Sequence, residues 1–322
     1  MTTPPSIDTG KLIVSMSPHL RGSTTIERMM ATFLVALIPT TVVGVYLFGL
    51  RSLLVVAISM ATAVVVEAAI SRLTLRPVSV GDLHGLLTGL LVALICPPTA
   101  PWWLVVVGAS VAIILGKMVF GGLGTYPFNP PLVAWVVLTL SWPERMSFFV
   151  APHTSEQVLT PLMAFKEDPA LFYSYKLIDL FLGSQAGPLG VVCGLAILVG
   201  GIFLLVRGVI RWHIPVSFLC GVALFAGLLR LINADLFPPV SFHILGGGVL
   251  MGAFFLAPEP VTSPVTPRGM VVFGFLAGLL TMIIRMWGAD PDGTFYGILV
   301  MNAATPLFNH LKPRVYGRSI HA

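Results

Sequence analysis

Charge is what this sequence has least of. Only 10% of its 322 residues are Asp, Glu, Lys or Arg, where a soluble domain carries about 25%. A chain that is 56% hydrophobic, with a mean hydropathy of +0.95, cannot bury that much apolar side chain within itself. The lipid bilayer must be its solvent. Cysteine is scarce as well. Cys96, Cys193 and Cys220 lie far apart inside apolar runs, with no CxxC and no metal-ligand spacing, which argues against an iron–sulfur cluster built by this chain alone. The net charge of +5 comes from basic residues scattered singly, with no stripe or cluster, so nucleic acid is not an expected partner. There is no GxGxxG and no P-loop Lys-Ser/Thr, so the nucleotide fingerprints are absent. No Ser/His/Asp or Cys/His arrangement stands out. Residues 2–28 are polar and lack an apolar core, so no cleaved signal peptide is expected.

Long apolar runs are what the chain does have. The first five are Met29–Leu50, Leu53–Ile70, Leu83–Cys96, Trp102–Val119 and Pro131–Trp142. After a long polar interval come Pro188–Val206, Ile214–Ile232, Phe242–Ala257, Met270–Met286 and Phe295–Phe308. A full crossing takes about 20 apolar residues. The third and fifth runs of each half fall short of that, in corresponding positions. Leu87-Thr88-Gly89-Leu90-Leu91 before Pro97-Pro98-Thr99 also rhymes with Leu250-Met251-Gly252-Ala253-Phe254 before Pro258-Glu259-Pro260-Val261-Thr262. The pattern predicts an all-α polytopic membrane protein of about ten transmembrane helices, in two inverted five-helix repeats. The expected divisions are 1–28 (a cytoplasmic segment), 29–142 (first repeat), 143–187 (an extracytoplasmic loop), 188–308 (second repeat) and 309–322 (a cytoplasmic tail). Orientation follows from charge. With the N-terminus inside, 12 of the 18 Lys and Arg fall on the inner side and 6 on the outer, which places both termini in the cytoplasm.

Few residues look chemical. The longest polar interval, Pro143 to Gly187, contains Thr160-Pro161-Leu162-Met163-Ala164-Phe165-Lys166, and the Thr160 hydroxyl is expected to be exposed and open to modification. By spacing alone the interval reads as a solvated linker. Gly121, Gly122 and Gly124 permit positive φ in the Gly121–Pro130 segment, which suits either a re-entrant turn or a backbone cradle. Arg268 beside Thr262 and Thr266 suits a polar ring edge or, more simply, a positive-inside anchor. Glu67 and Lys117 sit near span ends, where snorkelling would explain them. Asp82 and Asp235 flank spans as possible helix caps. His84 and His243 raise the question of a bis-histidine haem, but their offsets from the matching glycines disagree.

Several motifs together carry a resemblance. They are Ser17-Pro18-His19 with Arg21, Pro127-Phe128-Asn129-Pro130, Phe242-His243, Pro260-Val261-Thr262, Thr266-Pro267-Arg268-Gly269, Pro291-Asp292-Gly293 and Pro313-Arg314-Val315-Tyr316-Gly317. They run nearly end to end, and the chain resembles the D subunit of the Rnf complex. That family is related to the B subunit of the sodium-translocating NADH:quinone oxidoreductase. The resemblance implies a subunit in the inner membrane of the cell, assembled with other subunits in a multi-subunit complex. Such complexes couple electron transfer between ferredoxin and NAD to ion movement. It also implies a covalent FMN held through a phosphoester to a threonine, in a pattern like Asp-x-x-Ser-Gly-Ala-Thr-Pro-Leu. Thr160-Pro161-Leu162 and Lys166 match the end of that pattern, while Thr154 and Gln157-Val158-Leu159 depart from it. A second, non-covalent riboflavin near the opposite face is implied, without assigned residues. Two other readings stand beside this one: an inverted-repeat solute transporter or channel, and a structural subunit without covalent flavin.

Overall fold

Without water, the backbone polar groups of a membrane-embedded chain must pair within the segment, and helices achieve this. A computed structural model describes residues 25–75, 80–154 and 156–310. The Ser17-Pro18-His19 motif, Arg76 and the basic tail from Lys312 lie outside the described residues. In chain order the helices are α1 (Ile26–Phe48), α2 (Leu50–Leu73), α3 (His84–Ile95), α4 (Trp102–Val111, continued as a π-helix over Ala112–Met118), α5 (Pro130–Ser141), α6 (Pro143–Met146) and α7 (Pro161–Glu167). Then come α8 (Leu177–Leu182), α9 (Gly194–Val206), α10 (His213–Ile232), α11 (Val240–Leu245), α12 (Val249–Met251, continued as a π-helix over Gly252–Leu256), α13 (Pro267–Trp287) and α14 (Thr294–Asn309). Among the described residues there is no β-strand, only an isolated bridge between Val150 and Gln157.

Four helices, α1, α2, α10 and α13, are long and apolar enough to cross a membrane. Their outer faces leave Val35, Ile38, Val42, Leu53, Val65, Leu224 and Leu228 exposed, an apolar surface that suits lipid and not water. The shorter segments are the interior ones. α3 is buried along almost its whole length, and so is the stretch from Val249 to Ala257. A broken helix at membrane depth is tolerable only where protein encloses it. The chain meets that condition directly at the end of α3, where the carbonyls of Leu94 and Cys96 accept the amides of Gly190 (2.7 Å) and Leu189 (3.0 Å).

That contact corrects one sequence expectation. The sixth apolar run does not become helical at Pro188. Residues 188–193 lie across the end of α3, and α9 starts at Gly194. The eighth run is likewise two pieces, separated at Gly246–Gly248, where Gly247 takes φ +72°. The polar interval is not a bare linker either. It folds into α6, α7, a 3-10 turn over Pro169–Ser174, and α8.

α10 and α13 pack backbone to backbone. A Cβ added at Gly278 would collide with the Phe218 carbonyl, and one at Gly221 with the Phe275 carbonyl. Gly278→Ala is therefore expected to push the helices apart and cost about 1–3 kcal/mol, as overpacking does. A thermal unfolding curve in detergent that matches wild type would contradict this packing.

A cleft at Thr160, the candidate functional site

Thr160 stands where the polar interval turns back to the membrane helices. Val150 and Gln157 pair, with Ala151 donating to Glu156 O (3.0 Å) and Val158 to Phe149 O (3.1 Å). This returns the chain to the start of α7. Pro161, at the first helical position, has no N–H to leave unpaired. Thr160 Oγ1 accepts the amide of Met163 (3.2 Å) as the N-cap. The residue is half-buried, less exposed than the sequence suggests. α7 docks through Leu162 and Phe165, which join Phe172, Leu180 and Phe242 of α11 in a small apolar cluster.

The cleft beside Thr160 has about 710 Å³ of non-atom space, part of it open to solvent. Its wall runs from Thr160–Met163 through Ile95, Trp135, Thr139 and Phe149 to Gln185–Pro188, Gly247, Asp290–Asp292 and Phe295. Most of the lining is apolar. Among its polar atoms, the buried Thr139 Oγ1 and Gln185 Oε1 have no hydrogen-bond partner among the described residues. The Gln185 amide is oriented by its other end, since Nε2 donates to Val192 O at 2.8 Å. A cleft that leaves buried polar atoms unpaired is suited to a ligand with polar edges.

One wall is held by charge. Arg285 is 2% exposed and donates to Asp292 Oδ1 (2.8 Å), Asp292 O (2.9 Å), His243 O (2.8 Å) and Gly246 O (3.4 Å). Asp292 also accepts from Gly248 N and Thr294 Oγ1, each at 2.6 Å. The end of α13, the break between α11 and α12, and the start of α14 thus meet at one carboxylate. Gly247 lets them approach, for a Cβ there would strike Leu162 and lie 2.9 Å from Asp292.

In the α13–α14 turn, burial and the neighbouring Asp292 charge push the Asp290 carboxyl up to about 6. The Gly293 amide, Arg285 and Lys166 pull the other way and are outweighed. The folded chain therefore holds this proton more tightly than the unfolded chain. The group's contribution to stability is fully present below the ordinary carboxylate range and is lost as pH rises through about 6. Asp290→Asn mimics the protonated form, so its melting temperature should decline less than wild type between pH 5 and pH 8. Parallel curves would remove Asp290 as the cause.

The second charged cluster lies at the other end of α3. Lys117 and Glu67 do not snorkel. Both side chains are 0% exposed and pair at 2.7 Å, with Asp82 3.9 Å from the ammonium. His84 Nε2 meets Tyr126 Oη (2.8 Å), which donates to Glu259 Oε1 (2.6 Å), and Thr262 closes on Glu259 Oε2 (2.7 Å). Here a smaller cavity, about 360 Å³ of non-atom space, is lined by His84, Asn129, Phe255 and Glu259. The Asn129 Oδ1 has no hydrogen-bond partner among the described residues. Asp82 is not the N-cap of α3, a position held by Leu83, but its carboxylate accepts the His84 amide (2.8 Å), whereas Asp235 donates its own amide to Asn233 Oδ1. Gly121, Gly122 and Gly124 take the positive φ expected of them. His84 and His243 are engaged separately, with Tyr126 and Arg285.

The model of the NQR2, RnfD, RnfE family matches residues 13–317, almost the whole chain. The chain belongs to this family. It is 40% identical over 311 residues to the D subunit of the Na(+)-translocating ferredoxin:NAD(+) oxidoreductase complex of Acetobacterium woodii, covering 95% of each chain. It is 36% identical over 344 aligned positions to the D subunit of the ion-translocating oxidoreductase complex of Salmonella paratyphi A, covering 94% of this chain and 98% of that one. The protein of the same name from Salmonella typhimurium matches to the same extent. The full-length likeness agrees with the apolar helices in making this family member a membrane protein.

Proposed function

We propose that this chain is the flavin-carrying membrane subunit of an ion-translocating ferredoxin:NAD+ oxidoreductase complex, in which it relays electrons. Membership of the complex rests on relatives that are named as its D subunit and align nearly end to end. The observation that carries the flavin reading is the cleft itself. The one threonine that matches the family's attachment pattern in the polar interval lies on its rim.

The residues fit FMN. Thr160 Oγ1 accepts from Met163 and donates to none of the described residues, so its proton is available for replacement by a phosphoester. Trp135, Phe149 and Phe295 offer apolar ring contacts, and Thr139 and Gln185 offer polar atoms for a heterocycle's edge. Bound FMN supplies one-electron transfer. The chain's own part is to tether, orient and partly shield it. Because the phosphate is consumed in the ester, no phosphate-binding loop is required, which agrees with the missing nucleotide motif. The smaller cavity at the far end of α3, where Asn129 Oδ1 lacks a partner among the described residues, is our candidate for a second, non-covalent riboflavin. α3 has 12 residues and so spans about 18 Å between the two sites.

The same reading places ten spans in two inverted five-helix repeats in the inner membrane, with cytoplasmic termini and residues 143–187 in the periplasm. Two features support it. The short buried segments α3 and α11–α12 recur in the two halves, and each half has one buried cation near the end of its fourth run, Lys117 and Arg285. A periplasmic Thr160 suits attachment by an extracytoplasmic flavin transferase. The test is co-expression with that transferase, followed by in-gel flavin fluorescence of the denatured chain. A band that disappears in Thr160→Ala is expected. A dark wild-type band would leave the chain as a structural subunit.

A further inference from the structure

Lys166 matches the attachment pattern along with Thr160, but that match gives its ammonium no physical task. It is exposed, in the last turn of α7, and the bland reading is a solvated lysine. Its contacts differ from that. The ammonium donates to the Gly288 carbonyl and, at 3.4 Å, to the Asp290 carbonyl. Gly288 caps α13, a helix of 21 residues, so the cation sits at a helix end that favours positive charge. The two carbonyls belong to the α13–α14 turn, whose Asp290, Pro291 and Asp292 line the same cleft as Thr160.

We propose that Lys166 is a positioning residue: it locks α7 to the α13–α14 turn and thereby fixes Thr160, and whatever Thr160 carries, relative to the Asp290–Asp292 part of the cleft wall. The use of this lock rests on the reading of Thr160 as the flavin carrier. α7 has seven residues and is about 10 Å long, with Thr160 at one end and Lys166 at the other. Leu162 and Phe165 form a pivot between them, packed on Phe242 and, for Leu162, close to Gly246 and Gly247. An apolar pivot holds the helix down but does not set its angle, because hydrophobic contact is non-directional. The two hydrogen bonds from Lys166 are directional and set it. The charged groups that face this contact are Asp290 of the same turn and, behind it, Asp292 and Arg285.

The lock is tested in the full-length chain without any flavin. A nitroxide is placed on Thr160→Cys, with Cys220→Ser to remove the exposed thiol; Cys96 and Cys193 are buried. Lys166→Met should mobilise the label, seen as narrowed lines in its electron paramagnetic resonance spectrum. Lys166→Arg, which keeps a donor cation, should restore the wild-type spectrum, and neither variant should shift the thermal midpoint. In the flavin-loaded chain with Thr160 intact, Lys166→Met should retain in-gel fluorescence but lose flavin anisotropy. A nitroxide spectrum unchanged by Lys166→Met overturns the proposal, as does equal mobilisation by Met and Arg. Loss of flavin loading with an unmoved label would assign Lys166 to recognition by the transferase instead. A dark wild-type gel would sink the flavin reading alone, since the nitroxide still decides the lock.

Discussion

Arg285→Met is expected to destabilise the chain by about 3–5 kcal/mol, the range for breaking a buried ion pair by removing one partner. The arginine is 2% exposed, and its guanidinium reaches four acceptors on three segments. Methionine fills the space but returns none of the hydrogen bonds. Asp292 keeps Gly248 and Thr294 as donors but loses its counter-charge. Lysine restores the charge without the fork, so Arg285→Lys should fall between wild type and Met. The damage has a location as well as a size, because Asp292 and Gly247 line the cleft. Thermal unfolding in detergent measures the size. A Met variant as stable as wild type would show that the cluster fills space without holding it.

Lys117→Met should cost a similar 3–5 kcal/mol, since a buried carboxylate left without its cation is among the largest single-site penalties. Glu67 and Lys117 are both 0% exposed and 2.7 Å apart. Glu67→Gln alone should also destabilise, by leaving the ammonium with only the more distant Asp82 at 3.9 Å. The double variant should recover much of the loss, because a neutral pair avoids the cost of desolvating charge. Coupling of this kind is what a double-mutant cycle measures. If the two single losses simply add, the pair is not coupled as the geometry requires.

These clusters also mark the limit of what the sequence discloses. The apolar runs were legible because hydropathy reports directly on the solvent a segment sees, and α1, α2, α10 and α13 follow their runs closely. The end of the run that became α9 was legible, but its start was not. The reason is that Leu189 and Gly190 are claimed by carbonyls about 95 positions away, at the end of α3. Glu67 and Lys117 are 50 positions apart, and closeness to span ends made snorkelling the simpler expectation. Lys117 also lies in the π-helical turn of α4, which no composition pattern announces. Thr160 was legible because a linear motif surrounds it. Thr139, Gln185 and Asp290 were not, since they reach the cleft from separate helices and turns. The nearest signal was the Asp290-Pro291-Asp292-Gly293 turn, whose two carboxylates flank a proline beside an apolar run.

Peptide mass analysis decides whether Thr160 carries a covalent flavin. The full chain, expressed with its flavin transferase, is digested, and the fragment containing Thr160 is sequenced by mass. This fragment should be heavier by FMN less one water, with the added mass on Thr160 and on no other hydroxyl. A fragment of unmodified mass from fully assembled complex, or added mass on a different residue, would contradict attachment at Thr160.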